Sequence, residues 1–257
     1  MDKSLKTIAI VQARMGSTRF PGKIMADLCN QPMISVLLHR LKMTNGLDEI
    51  IVATTCHKTD DVLVNWLEKQ GVDYFRGSVN DVLDRFHKCA SYKNADLIVR
   101  VTADDPLKDH KIIERALSIY AAGKTVDYVS NTLNPTFPEG LDIEVFSFAA
   151  LDRTFREATL SADREHVTPY IWRNTSKFNI VNFTMESNLS MWRWTVDKPK
   201  DLEFVKAVFS HFGNNMGISY IDIIKLIYAK PELLQINAGT LRNEGYLISL
   251  SKDRQNE

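Results

Sequence analysis

Through its first 125 residues the sequence alternates between two hydrophobic periods, and this restricts the possible folds more than any other feature of the chain. Short β-rich runs occupy residues 7–11, 49–54, 73–76 and 96–102. Each is followed by a segment whose apolar residues recur every three to four positions. Residues 32–42 carry Met33, Val36, Leu37 and Leu41 on one face, and 60–70 carry Val62, Trp66 and Leu67. Residues 80–92 carry Val82, Leu83, Phe86 and Cys89, and 111–121 carry Ile112, Ile113, Ala116 and Tyr120. A strand repeats with period two and a helix with period 3.6, so the pattern predicts successive β-α-β units. Such units build an α/β fold with a mostly parallel, Rossmann-like sheet, and right-handed crossovers put helices on both its faces.

Past residue 125 the pattern changes. Strands are expected at 127–130 and 143–146, around a loop at 131–140 that holds two prolines. Helices are expected at 148–156 and 165–172. The β-rich runs 178–185 and 191–196, joined by Glu186-Ser187-Asn188, read as an antiparallel β-hairpin. Pro199 favours the start of a helix over 201–212, and a further helix over 220–229 stops before Pro231. Nothing in the sequence reads as a repeat, a low-complexity tract or a Gly/Ser linker, so residues 1–257 are expected to form a single domain. A chain of 257 residues can bury a core that needs neither disulfides nor a structural metal.

Charge excludes some partners. The 32 Lys and Arg balance the 32 Asp and Glu, so the chain lacks the basic surplus that non-specific nucleic-acid or anionic-membrane binding needs, and neither partner is expected. Any anion site must be local. Cys29, Cys56 and Cys89 are odd in number and widely spaced, which fits reduced thiols rather than a zinc ribbon or disulfide framework. The first apolar stretch, Ile8-Ala9-Ile10-Val11, is too short for a signal-peptide core, and no apolar run approaches the ~20 residues of a membrane span. A cytoplasmic protein is expected.

Open parallel sheets bind ligands beyond the carboxyl ends of their strands, which directs attention to the loops after those runs. The loop Gln12-Ala13-Arg14-Met15-Gly16-Ser17-Thr18-Arg19-Phe20-Pro21-Gly22-Lys23 combines two glycines, two hydroxyl residues and three cations. Glycines let backbone N–H groups approach an anion, and Arg and Lys supply charge-assisted bonds to phosphate. It is not a Walker A loop: five residues separate Gly16 from Gly22, and Ile24 stands where Ser or Thr would hold magnesium. It also lacks the glycine spacing of a dinucleotide fingerprint, so kinase and dehydrogenase chemistry are disfavoured. A second signal is Arg100-Val101-Thr102-Ala103-Asp104-Asp105-Pro106, where two carboxylates leave a strand end. Carboxylates of this kind hold magnesium together with substrate phosphates, although an Asp there also suits a helix cap. The third is Trp194-Thr195-Val196-Asp197-Lys198-Pro199, another carboxylate before a helix, for which capping is the simpler reading.

Taken in order, Arg14 to Lys23, Val52-Ala53-Thr54-Thr55, Arg100 to Pro106 and Arg193-Trp194-Thr195-Val196-Asp197 resemble the successive motifs of the cytidylyltransferase family. That family includes the 3-deoxy-manno-octulosonate and acylneuraminate enzymes, which make CMP-sugars. Phe75-Arg76-Gly77-Ser78-Val79-Asn80-Asp81-Val82-Leu83-Asp84-Arg85-Phe86, Pro138 to Phe146 and Arg164-Glu165-His166-Val167-Thr168-Pro169-Tyr170 are similar to its spore coat polysaccharide biosynthesis branch. The resemblance covers residues 7 to about 210.

The resemblance implies a nucleotide-diphospho-sugar transferase type of sheet, with a nucleotide-binding half (1–125), a sugar-binding and dimerisation half (126–215) and C-terminal helices (216–257). It implies transfer of CMP from CTP to a small sugar, an acidic one by family precedent, with magnesium as cofactor, for polysaccharide biosynthesis. Arg14, Arg19 and Lys23 match the triphosphate cations, and Asp104 and Asp197 the metal carboxylates; these five are the expected catalytic residues. Ala13, Met15, Gly16, Ser17, Ala53, Thr54 and Arg85 join the three cations as nucleotide-binding residues. Glu139, Asp142, Glu144, Arg164 and His166 are the expected sugar ligands, although a capped, solvated helix start explains Arg164-Glu165-His166 equally well. A nucleotidyltransferase for another NTP shares the phosphate loop and stays open. A nucleotide-sugar-dependent glycosyltransferase would usually carry Asp-x-Asp, which Asp104-Asp105 is not. A homodimer is expected, because the Phe-, Met- and Trp-rich hairpin needs a surface to cover it.

Overall fold

Ile8, Ala9, Ile10 and Val11 are all fully buried because their strand, β1 (Thr7–Gln12), has a hydrophobic core on each face. Ile8 and Ile10 enter one core, and Ala9 and Val11 the other, as the two-residue period of a strand requires. The protein is seen here as a computed structural model that describes residues 5–255. After β1 come a two-stranded antiparallel turn, β2 (Asp27–Leu28) and β3 (Gln31–Pro32), then α1 (Met33–Leu41), β4 (Glu49–Thr55), α2 (Asp61–Lys69) and β5 (Tyr74–Gly77). α3 (Val82–Tyr92), β6 (Leu97–Thr102) and α4 (His110–Ala122) complete the first half.

The second half contributes β7 (Tyr128–Ser130), β8 (Glu144–Ser147), α5 (Phe148–Glu157), α6 (Ser161–His166), α7 (Pro169–Arg173), β9 (Ile180–Asn182), α8 (Pro199–His211), α9 (Tyr220–Ala229) and α10 (Glu244–Gln255). Both halves build one seven-stranded sheet, ordered β5-β4-β1-β6-β8-β7-β9. Only β8 runs against the other six. From β1 the chain moves outward through β4 and β5, then returns to place β6 on the other side of β1. That reversal is the switch point at which a doubly wound sheet opens a crevice. Among the described residues, no helix is long and apolar enough to cross a membrane.

The expected α/β layering is present, and the expected strands and helices of the first half fall within two residues of those observed. Two expectations fail in the second half. Residues 165–172 are not one helix: Val167 adopts φ +72°, a conformation that a β-branched residue rarely takes, and this breaks the run into α6 and α7. The hairpin over 178–196 does not form either. Only Ile180–Asn182 is a strand, and it pairs in parallel with β7. Residues 191–196 instead run as an irregular segment fixed by Trp194 N–H to Glu139 O (2.7 Å) and Glu139 N–H to Trp192 O (2.9 Å). The reason for expecting a partner subunit on that hairpin goes with it. Phe178, Phe183, Leu189, Trp194 and Val196 are buried within their own chain, Ile180, Val181, Met185 and Trp192 are half-buried, and Met191 is 93% exposed.

Candidate active site

The cationic loop leaves β1 beside the chain leaving β6, since Gln12 and Thr102 are register partners and Ala103 N–H donates to Gln12 O. Met15 O gathers the loop by accepting from Ser17 N–H (2.9 Å) and Gly22 N–H (3.0 Å). Gly22 then turns the chain at φ +71°, where glycine is unstrained, into a short 3-10 turn over Lys23–Met25. The turn aims Lys23 inward. Asp60, almost wholly buried, ties the loop to the end of β4. Its Oδ1 accepts from Met15 N–H at 2.7 Å, while Oδ2 accepts from the backbone and hydroxyl of Thr55.

Lys23 brings together two carboxylates from different sequence motifs, Asp104 and Asp197. Its Nζ lies 2.7 Å from Asp104 Oδ2 and 2.8 Å from both Asp197 Oδ1 and Val196 O. Arg19 also meets Asp197 Oδ1 at 2.8 Å, and Arg193 Nη2 donates to Asp197 Oδ2 at 2.9 Å. Arg193 in turn holds Glu139 (2.5 Å) and Asp201 (3.1 Å). Burial works to lower the Lys23 pKa, but Asp104 and Asp197 outweigh it and hold the ammonium above its usual value. Burial likewise works to raise Asp197, yet Lys23, Arg19 and Arg193 hold its carboxyl well below the usual carboxylate range. Lys23 and Asp197 are therefore both ionised at neutral pH. Asp105 leaves the same strand end but turns away, accepting from the buried Lys108 at 2.9 Å and from the Thr102 hydroxyl at 2.7 Å.

Two carboxylates converging on one small cation are a donor set that suits magnesium, which takes one or two carboxylates and completes its shell with substrate phosphates and water. No cluster of three or more metal-ligating side chains occurs among the described residues, so the remaining ligands would have to come from substrate and water.

The nucleotide side is less uniform than the sequence implied. Arg14, Gly16 and Arg19 are exposed on the loop, Met15 and Ser17 half-buried, and Ala13 buried with its N–H on Ala53 O. Ala53 itself packs entirely into the core with Ile51, Val82 and Leu83, so its side chain cannot meet a nucleotide. Thr54 is buried with its hydroxyl unpartnered. Arg85 is fully buried at the start of α3; Nη1 donates to Ser78 O at 2.6 Å, while Nε and Nη2 have no partner. Burial first, and then Arg14, push its pKa down to about 10, which leaves it charged at pH 7. A buried cation with unspent donors is costly on its own, and its nearness to Arg14 of the cationic loop suits a site that receives an anion.

Beyond Asp104 and Asp197 opens a cavity of about 540 Å³. Glu139, Asp142 and Glu144 line it, but all three are already engaged. Glu139 accepts from Arg193 and from Asn243 N–H, and Asp142 pairs with Arg242. Glu144 holds Arg100, the Tyr128 hydroxyl and the Thr168 hydroxyl. Burial raises the pKa of both Glu139 and Asp142. For Glu144 burial is outweighed by Arg100 and the two hydroxyls, which lower it.

His166 reaches the cavity, but burial, and next Arg100, lower its pKa to about 4, so it is neutral at pH 7. Arg164 does not reach it: it is bonded to Asp81 (2.6 and 2.7 Å) and to the carbonyls of Phe155 and Ala158. Arg164 therefore joins α6 to the cap of α3 and is not a sugar ligand in this arrangement.

The floor of the cavity depends on Gly140. It adopts φ +105°, and a Cβ there would lie 2.7 Å from Thr195 N and 2.8 Å from the Trp194 carbonyl carbon. Gly140→Ala is expected to destabilise the fold by about 3 kcal/mol, from backbone strain and overpacking together. Thermal unfolding checks this; an unchanged transition would show that the loop packs less tightly than described.

Sequence reasoning missed several residues of the site. Asp60 follows a strand end and had a positional signal, but Arg242, Asn243, Glu244 and Tyr246 had none, because they lie beyond every motif. Asn243, Glu244 and Tyr246 nevertheless form part of the cavity wall.

Comparison with known proteins shows the family and the fold. The sequence matches the model of the cytidylyltransferase family over residues 8–226. It is 36% identical over 244 residues to the uncharacterized protein MJ1063 of Methanocaldococcus jannaschii, an alignment covering 94% of this chain and 98% of that one. It is 30% identical over 231 residues to the spore coat polysaccharide biosynthesis protein SpsF of Bacillus subtilis, covering 87% and 94%. A solved cytidylyltransferase structure from Leptospira borgpetersenii superposes with a TM-score of 0.87 at 34% identity, covering 93% of this chain and 100% of that one.

Proposed function

The chain belongs to the cytidylyltransferase family, and from that premise we propose that it transfers the CMP moiety of CTP to a hydroxyl of a small sugar, releasing pyrophosphate, in polysaccharide biosynthesis. The observation that carries the reading is the Lys23–Asp104–Asp197 cluster at the mouth of a cavity of about 540 Å³, at the switch point of the sheet. The name of the Bacillus subtilis relative supports the pathway.

The acceptor hydroxyl attacks the α-phosphate in line and pyrophosphate departs. Such a transfer asks for little covalent help from the protein; positioning and charge neutralisation carry it. Arg14, Arg19 and Lys23 bind the phosphates and offset the charge that accumulates on the leaving pyrophosphate. Asp104 and Asp197 would hold magnesium, whose chemistry when bound is to neutralise charge at the reacting phosphate. Asp60 keeps Met15, and with it the loop, against β4.

The acceptor is proposed to be a sugar acid. Its hydroxyls meet Glu139 and Asp142. Its carboxylate has to draw a cation out of an existing pair, because Arg100, Lys108, Arg193 and Arg242 already hold carboxylates and His166 is neutral.

The test is pyrophosphate release from each of the four common NTPs, with magnesium and a panel of sugar acids. The proposal expects acceptor-dependent release from CTP well above the other three; a preference for another NTP would overturn the base assignment. A second expectation concerns the loop. Arg19→Ala should weaken CTP binding about tenfold and CMP binding less than twofold, since a charge-assisted bond to an outer phosphate is lost only for CTP. Calorimetry with both nucleotides checks it, and equal losses would place Arg19 elsewhere.

A further inference from the structure

The family match ends at residue 226, but the cavity wall continues into the first turn of α10 through Asn243, Glu244 and Tyr246. Glu244 accepts from Arg19 Nη1 at 3.1 Å and pairs with Lys198 at 3.4 Å, while Nη2 of Arg19 holds Asp197 at 2.8 Å. The Arg19 and Glu244 side chains are each 32% exposed, so solvent and a soluble anion reach both.

The rest of α10 lies along α6 and α7 and is held there by polar and ring-edge contacts at the surface. Asp253 accepts Ala162 N–H at 2.7 Å, and the Ser249 hydroxyl meets His166 Nε2 at 3.1 Å and Glu165 at 2.6 Å. The Tyr246 ring stands edge-on to His166 and Trp172. No described residue of α10 is buried, and Leu247 and Ile248 are 51% and 47% exposed. A helix docked without a buried apolar face detaches at low free-energy cost.

We propose that Glu244 is a displaceable ligand of Arg19: the outer phosphates of a nucleoside triphosphate and the Glu244 carboxylate compete for the same guanidinium, so that binding the triphosphate loosens α10 from the wall of the acceptor cavity. The identity of the triphosphate rests on the cytidylyltransferase reading; the competition rests on the Arg19–Glu244 pair. Phosphate wins the exchange because it offers more charge to a bidentate guanidinium, whereas a partly exposed carboxylate pair contributes little. Glu244 acts through Arg19 and is a positioning residue.

The experiment compares wild type with Glu244→Gln by calorimetry, using CTP, CMP and inorganic pyrophosphate, and by hydrogen exchange over residues 244–255. Removing the competitor should tighten CTP and pyrophosphate about three- to fivefold, the size of one partly exposed ion pair, and leave CMP unchanged. Exchange over 244–255 should rise when CTP is added to wild type and be high in the variant from the start. CTP affinity that is unchanged or weaker in the variant overturns the proposal, as does a CMP change of the same size as that for CTP. If neither protein binds CTP, the cytidylyltransferase reading fails by itself. The pyrophosphate arm then decides the competition, with tighter binding by the variant upholding it and equal binding ending it.

Discussion

An Asp197→Asn variant is expected to release pyrophosphate from CTP about 10²–10³-fold more slowly than wild type, the usual loss when one preorganised charge is removed from a site of this kind. The substitution keeps the shape of the side chain. Lys23 retains Asp104 and Val196 O, and Arg193 retains Glu139 and Asp201, so the fold should survive; circular dichroism checks this. The substitution also changes the pH dependence of stability. Asp197 is held below the ordinary carboxylate range in the folded protein, so its contribution is present above the pKa of the unfolded chain and is lost as pH falls through the folded value. The stability gap between wild type and variant should therefore close as the solution is acidified below about pH 4, the ordinary carboxylate range. Near-normal turnover in a folded Asp197→Asn protein would refute the two-carboxylate account.

Lys23→Met should be the more disruptive change. It removes the ammonium that two carboxylates share and leaves an apolar chain of similar length between them. Breaking a buried pair in this way costs about 3 kcal/mol, or roughly 6–12 °C in Tm for a chain of this size. Turnover should fall at least as far as in Asp197→Asn, because under the proposed function the lost cation also binds the phosphates. The variant gives a readout of metal fit that does not need activity. With their resident cation gone, Asp104 and Asp197 should bind magnesium in the free protein, so millimolar magnesium should raise the Tm of Lys23→Met more than that of wild type. If magnesium leaves both melting curves unchanged, the two carboxylates do not form a metal site.

Much of the first half was legible because its hydrophobic periods are set by burial. Ile8 to Val11 read as a strand, and α1, α3 and α4 bury the expected apolar stripes. In α2 the core face holds Leu63 and Leu67, while Val62, expected inward, is 56% exposed. The second half misled where apolar spacing served another purpose. Trp192, Trp194 and Val196 alternate like a strand, yet Trp194 and Val196 fill the core from an irregular segment held by Glu139. Val167 broke an expected helix through a backbone conformation that its side chain does not announce. α10 could not be read from apolar spacing, since none of its described residues is buried.

The site was legible as a set of residue types but not as a set of partners. The loop motif supplied Arg19 and Lys23, and the strand ends supplied Asp104 and Asp197. Sequence gives no distance between residue 23 and residue 197, so the Lys23 bridge was invisible. Arg164 fits a carboxylate ligand by composition alone; its pairing with Asp81, 83 positions away, removes it. Asn243 to Tyr246 reach the cavity because the chain folds back from α9, which no local pattern records.

The reading is most directly tested by the products formed from CTP, magnesium and an accepted sugar, identified by mass spectrometry and counted. It predicts a CMP-linked sugar and pyrophosphate in equal amounts, with no CDP and no inorganic phosphate in the absence of a phosphatase. Release of CDP or inorganic phosphate, or of free CMP with no linked sugar, would contradict attack by an acceptor hydroxyl on the α-phosphate.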